Sequence, residues 1–247
     1  MIRLLLFFLR LNWSNYRPAD CLPHNCFCEA IGNGLIRQPI NAYTNIAYVL
    51  IGIIILVYLS RTKHQFMLRS PISNLPRKLF ILFGIACIAV GIGSFLYHAS
   101  FIFLGEELDD DSMYLIGSFM LFFELAHHHK ISTRQFILYY LILNLLLETL
   151  IYFLPVVRGG VFAILVVTSI VLVEVSIHRK IVSSQRRQFY TAIGLFGVAY
   201  FIWILDKTHL LCYPTSLFQG HAIWHLVSAL AALMYFFYMD KEFQLQK

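Results

Sequence analysis

Charged side chains are scarce in this 247-residue chain. Asp, Glu, Lys and Arg together make up 13% of it, where a soluble globular domain carries about 25%. Acids are the scarcer sign, 13 against 19 Lys and Arg, for a formal charge of +6. So little polar material cannot cover the surface of a soluble domain of this length. That argues against a soluble enzyme, and the 59% hydrophobic content argues against a disordered chain or a collagen-like fibre. Cysteine is sparse too, with five residues. What the chain has in quantity is apolar and aromatic: 22 Phe and 14 Tyr, with a mean hydropathy of +0.71. That composition suits a lipid-facing surface with aromatics at the interfaces.

A transmembrane helix needs roughly 20 mainly apolar residues. Seven stretches qualify as candidates: 42–60, 79–98, 109–126, 135–154, 160–177, 189–206 and 217–239. Runs such as VFAILVVTSIVLVEVSI do not alternate apolar with polar residues, as β-barrel spans would. The expected fold is therefore all-α, a seven-helix polytopic membrane bundle. Residues 1–41 form an N-terminal segment outside the membrane or at its interface, 42–239 the catalytic bundle, and 240–247 a cytoplasmic tail. MIRLLLFFLRLNW is too short to span and is interrupted by Arg10. It reads as an interfacial helix or as a signal sequence.

Lys and Arg in short loops set orientation. Arg61, Lys63, Arg69, Arg77, Lys78, Lys130, Arg134, Arg179, Lys180, Arg186, Arg187, Lys241 and Lys247 fall on one face, 13 of the 19. Arg3, Arg10, Arg17, Arg37, Arg158 and Lys207 fall on the other. An odd number of spans then puts the N-terminus outside and the C-terminus in the cytosol. The asymmetry accounts for the positive charge without a nucleic-acid partner.

Ionisable groups at membrane depth are functional candidates by default. Ser94 and His98, in GIGSFLYHAS, share a helix face at the outer end of span 2, and Gly91 and Gly93 let a neighbouring helix approach. GEELDDDSMY, 105–114, carries five acids into span 3 from the same side. A solvated helix start explains Glu106 and Glu107. It explains Asp109, Asp110 and Asp111 less well. HAIWH places His221 and His225 one turn apart at the outer end of span 7, a zinc-chelating spacing. The topology lets His98, Asp109, His221 and His225 meet at one depth. Three imidazoles plus an open position describe a catalytic zinc site, and a nearby carboxylate can act as base. The run HHHK, 127–130, reads as a solvated interfacial turn on the opposite face. Among Glu124, Glu148 and Glu174, Glu148 reads as the most buried, facing the bundle with Asn144 one turn away.

These elements, in this order, resemble the alkaline ceramidase family, and within it a bacterial ceramidase-like branch. The family is part of a seven-span hydrolase group that includes adiponectin-type receptors. GIGSFLYH resembles its G-x-G-S-x-x-x-H element, ELDDDSMY its L-D-E-x-P-M type sequence, and HAIWH its H-x-x-W-H. Asp110 and Ser112 depart from the family's glutamate and proline. The resemblance implies zinc on His98, His221 and His225, with Ser94 and Asp109 catalytic. It implies a membrane lipid as substrate and hydrolysis of a ceramide-like amide in a bacterial inner membrane. It also implies a pairing of Cys28 with Cys212, although Cys21, Cys26, Cys28 and Cys212 all map outside and allow three connectivities. CFCEAIGNGLIRQPINAYTNIAYV resembles the calcium-binding entry to span 1. Cys26 stands where the family has aspartate, and Gln38 where a glutamate is expected. Glu29 and Asp20 are the carboxylates left for Ca2+, which prefers six to eight oxygens, so no tight calcium site is expected. The competing readings are a receptor-like lipid sensor of the same fold and a transporter. The latter would show inverted repeats.

Overall fold

The computed structural model describes residues 12–22, 26–62, 68–70, 72–129, 131–179 and 186–244. The interfacial or signal segment expected at 1–12 lies, apart from Asn12, outside them. The helices are α1 (Pro39–Thr44), α2 (Ile46–Arg61), α3 (Phe80–Ser100), α4 (Phe103–His128), α5 (Thr133–Phe153), α6 (Arg158–His178), α7 (Arg186–Lys207) and α8 (Gly220–Gln244). The first two are nearly continuous and act as one span, Pro39–Arg61. The protein is thus an all-α polytopic membrane protein whose helices fit a seven-span bundle. Six are long and apolar enough to cross a bilayer, and α4 is excluded from that set because five acids lie in its first three turns.

Two boundaries differ from expectation for physical reasons. Helix α4 begins at Phe103 rather than at 109, so Glu106 and Glu107 do lie in a helix start, but Glu107 is buried against Arg158 rather than solvated. Helix α8 runs from Gly220 to Gln244 and buries Asp240 and Phe243. The stretch expected as a tail therefore starts inside the bundle. Local chemistry accounts for other ends. Pro39 occupies the first turn of α1, where its missing N–H costs nothing. Ser132 and Gln135 form a reciprocal capping box on α5.

Helix α3 packs against α2 and α4, α8 packs against α7 and α2, and α5 and α6 both lean on α4. The α3–α4 connection is only Phe101 and Ile102, with Phe101 left-handed at φ 50°. The crossing is tight: a Cβ on Gly93 would sit 2.5 Å from the Leu108 carbonyl oxygen. Glycine is therefore needed for α4 to lie directly against the turn that carries Ser94 and His98. On the neighbouring face, a Cβ at Gly91 would meet Val49 and the Asn45 carbonyl of the first span. An aromatic core fills the half of the bundle away from those residues. There Phe80 touches the rings of Phe119, Phe123, Phe236 and Phe243.

Two polar expectations are corrected in that half. Glu148 is exposed; its helix, α5, is peripheral, and much of it faces outward. Glu124 is the buried acid, at 0% exposure. It accepts from Tyr235 (2.7 Å) and Tyr238 (3.3 Å) and pairs with His127 Nδ1 at 2.9 Å. The 127–130 run is not a solvated turn, since α4 continues through His128 and His127 is buried. Nearby, Arg77 and Asp240 form a fully buried ion pair at 2.6 Å, and Tyr58 donates to Asp240 at 3.0 Å. This pair joins the ends of the first, second and seventh spans.

Removing one partner of such a pair strands a charge in a low-dielectric interior. Arg77→Ala should lower unfolding stability by about 3–5 kcal/mol. The double change R77M/D240N should restore most of it. Thermal denaturation of detergent-solubilised protein measures both.

Candidate metal centre

His98 lies in the last turn of α3, while His221 and His225 lie in the first two turns of α8. The structure brings all three together, each 3% exposed or less, with one ligating atom from each within 4.8 Å of the others. Among the described residues this is the only such group of His, Cys, Asp or Glu side chains.

The same nitrogen faces inward from two directions. His98 Nε2 and His221 Nε2 are 3.0 Å apart. His98 Nδ1 bonds to the Gln38 side-chain carbonyl at 3.0 Å, and His225 Nδ1 bonds to the Thr44 hydroxyl at 3.0 Å. With Nδ1 donating in both, Nε2 is left as a lone-pair ligand. Outer partners of this type fix tautomer and ring orientation around a metal. Neutral, buried imidazoles with converging Nε2 atoms suit a borderline cation such as zinc.

The first span and the segment before it hold those outer partners in place. Gln38 Nε2 donates to the Glu29 carbonyl, and Gln38 Oε1 also accepts from Asn41 at 3.0 Å. The Glu29 carboxylate accepts the Ile40 and Asn41 amides at 2.8 and 2.7 Å, capping two orphan donors of α1. Burial pushes the Glu29 carboxyl above its usual range, while those two amide bonds pull it down. Asp206 does the same for α8: its two oxygens accept the His221 and Cys28 amides, both at 3.0 Å. A Cβ on Gly220 would lie 2.9 Å from the Asp206 Cβ, so only glycine lets Asp206 reach the start of that helix.

Phe27 covers the imidazoles. Its ring stacks on His221 with centroids 3.5 Å apart, and Lys207 Nζ sits 4.8 Å from the same ring. Disulfides flank Phe27 on both sides, Cys21–Cys26 and Cys28–Cys212. The second is the pairing the resemblance implies.

Ser94 and Asp109 border the cluster. The Ser94 hydroxyl lies 3.5 Å from His225 Nε2 and neighbours the Asp109 carboxylate. The other acids of the run are otherwise engaged. Arg158, at the start of α6, pairs with Glu106 (3.1 Å), Asp110 (3.2 Å), Asp20 (3.4 Å) and, most closely, Glu107. Asp20 and Glu29, the calcium candidates, are not brought together. Asp20 belongs to the Arg158 cluster, and Glu29 spends both oxygens on helix amides.

Sequence reasoning missed the supporting residues Gln38, Thr44, Asp206, Phe27 and Arg158. Gln38 registered only as a lost carboxylate. Arg158 carried a usable signal, as a basic residue in a short loop on the face of the acidic run. Asp206 and Thr44 have no local pattern that marks them.

An apolar cleft opens about one helical turn from the centre, with a cavity volume of about 70 Å3. Met113, one turn after Asp109, and Trp224, between the two α8 histidines, line it, as do Phe162 of α6 and Phe196 of α7.

The outer partners generate a test. Q38L and T44V each remove the acceptor that holds one Nδ1–H. Each should weaken metal binding by about 10- to 100-fold, read by competition with a chelator. H128A, far from the centre, should leave it unchanged.

The Ceramidase family model matches residues 27–245, which include every residue of the centre. The chain is 23% identical over 251 residues to the alkaline ceramidase of Drosophila melanogaster, covering 96% of this chain and 84% of that protein. It is 27% identical over 177 residues to a Dictyostelium discoideum protein provisionally named alkaline ceramidase dcd3B. That match covers 63% of this chain and 61% of the relative, so it spans about three fifths of the relative's length. With the family model spanning nearly the whole bundle and the three histidines inside it, the chain belongs to the Ceramidase family.

Proposed function

We propose that the protein is a zinc-dependent intramembrane amidase that cleaves a ceramide-like N-acyl lipid into a fatty acid and a sphingoid-type base. The carrying observation is the juxtaposition of three converging imidazoles with Ser94 and Asp109, about one helical turn from Val90, Met113 and Trp224, which line an apolar cleft. Family membership supports the substrate class. The cleft has an apolar lining suited to an acyl chain. Helices α6 and α7 line its two sides and pack on α4 and α8 respectively, which favours lateral entry from the bilayer between them.

A zinc ion on His98, His221 and His225 would supply Lewis acidity toward the amide carbonyl and bring the pKa of a water to about 7. Asp109 is the general base: it takes the proton of the attacking water and returns it to the leaving nitrogen. The Ser94 hydroxyl donates to the oxyanion as charge develops there, an interaction that strengthens in the transition state. Phe27 and the enclosed imidazoles keep bulk water from the cluster. Gln38 and Thr44 hold the ligand tautomers while the proton moves.

The positive-inside count puts the centre at the extracytoplasmic end, with the C-terminus in the cytosol. The two disulfides lie at that same end, and an oxidising compartment favours them. A reporter fused after Lys247 should read cytosol; an external reading would reverse the proposed orientation.

The reaction is tested by offering detergent-solubilised protein ceramides of varied chain length, dihydro- and phytoceramides, and other N-acyl lipids. Mass spectrometry should find equimolar long-chain base and fatty acid, with about one zinc per chain by elemental analysis. D109A should keep zinc and lose most turnover. S94A should bind lipid and turn over roughly 10²–10³-fold more slowly, as for loss of one oxyanion donor. Cleavage of ester lipids alone would refute the amidase assignment. Zinc and fold intact with no product from any lipid would favour a receptor-like sensor.

A further inference from the structure

At the end of the bundle opposite the imidazoles, α2, α7 and α8 leave a second groove of about 440 Å3. Its lining is divided by chemistry. Arg187, at the start of α7, and Lys241, near the end of α8, provide two cations, and Thr191 provides a hydroxyl. Met234 and Phe237, one to two turns deeper along α8, provide an apolar wall.

Those cations have no partner among the described residues: neither side chain takes part in an ion pair or hydrogen bond there. The nearest buried acid does not draw on them. Asp240 is engaged by Arg77 at 2.6 Å and by the Tyr58 hydroxyl at 3.0 Å, so Tyr58 presents its ring rather than its hydroxyl to the groove. Among the described residues the lining therefore carries two positive charges without an ion-pair partner, above an apolar floor. It lies at the C-terminal ends of α2 and α8 and the N-terminal end of α7.

We propose that this groove binds an anionic glycerophospholipid from the adjoining leaflet. The phosphate would lie between Arg187 and Lys241, and an acyl chain would lie along Met234 and Phe237. Arginine matches phosphate with a planar fork of donors and lysine adds a point charge. Basic pockets between spanning helices take lipid head groups on these terms. A zwitterionic lipid brings its own cation against the same two residues and gains less. The site is separate from the proposed catalytic centre and does not depend on it.

The test is native mass spectrometry of protein released from nanodiscs holding equal fractions of phosphatidylglycerol and phosphatidylcholine. Each cation should contribute up to roughly fivefold, so retained phosphatidylglycerol should exceed phosphatidylcholine by about five- to twentyfold. R187Q/K241Q should abolish that preference. R134Q/R179Q removes two exposed charges from the same end and should preserve it. Water-soluble glycerol phosphate should not displace the lipid, because it lacks the chain that Met234 and Phe237 hold. The proposal falls if the parent protein shows no anionic preference or if R187Q/K241Q retains it. It also falls if the R134Q/R179Q control loses the preference equally, or if glycerol phosphate displaces the lipid. Zinc content and ceramide turnover, measured alongside, report on the other end of the bundle independently.

Discussion

A polar group taken out of water needs a partner inside, because an unpaired hydroxyl or amide in an apolar medium costs about 2–7 kcal/mol and an unpaired charge far more. In a chain with 13% charged residues, each such pairing also decides which helices lie together. Arg77 with Asp240 closes one end of the bundle across three spans. Glu124, with Tyr235 and Tyr238, binds α4 to α8 within the aromatic core. At the other end Glu29, Gln38 and Asp206 spend their side chains on amides and on one imidazole. The metal centre is the outcome of that last set. Three imidazoles can be packed dry only because two of their Nδ1–H groups bond to Gln38 and Thr44.

The segment ahead of the first span is consequently part of the centre. It reaches the histidines by three routes: Gln38 through hydrogen bonds, Phe27 through ring stacking, and Cys28 through the Asp206 carboxylate shared with His221. The Cys28–Cys212 bond ties the same segment to the connection between α7 and α8. A Cys21–Cys26 bond now occupies the side where the resemblance led to an expected aspartate.

The spans and the three histidines were legible in the sequence because each leaves a strong local mark: twenty apolar residues, or two imidazoles one turn apart. Gly93 was legible for the same reason, since a small residue beside a polar pair signals a close helix crossing. The failures share a cause. Whether Glu124 or Glu148 is buried depends on which helix is central, and the apolar residues around each carry no mark of that. Helix α5 is peripheral, and α4 is the main helix it packs against. Gln38, Thr44 and Asp206 act through partners 60, 181 and 15 residues away, and no periodicity reaches that far.

Helix geometry explains how one run of aspartates serves two purposes. Consecutive residues on a helix point about 100° apart, so Asp109 and Asp110 cannot face the same neighbour. Asp110 turns to Arg158, which also gathers Asp20, Glu106 and Glu107. That one guanidinium offsets much of the cost of carrying acids into α4, the helix that composition alone would not admit to a membrane. Asp109 faces the other way, against the turn of α3 that Gly93 lets in, and meets Ser94 instead of an arginine. Among the described residues it has no cationic partner. A carboxylate locked in an ion pair would hold its charge and give up its use as a base. Asp109, beside a hydroxyl and with no cation against it among the described residues, would keep the freedom to take a proton and give it back. On the proposed reading, Arg158 makes the acidic helix start tolerable without neutralising the one acid that the chemistry needs.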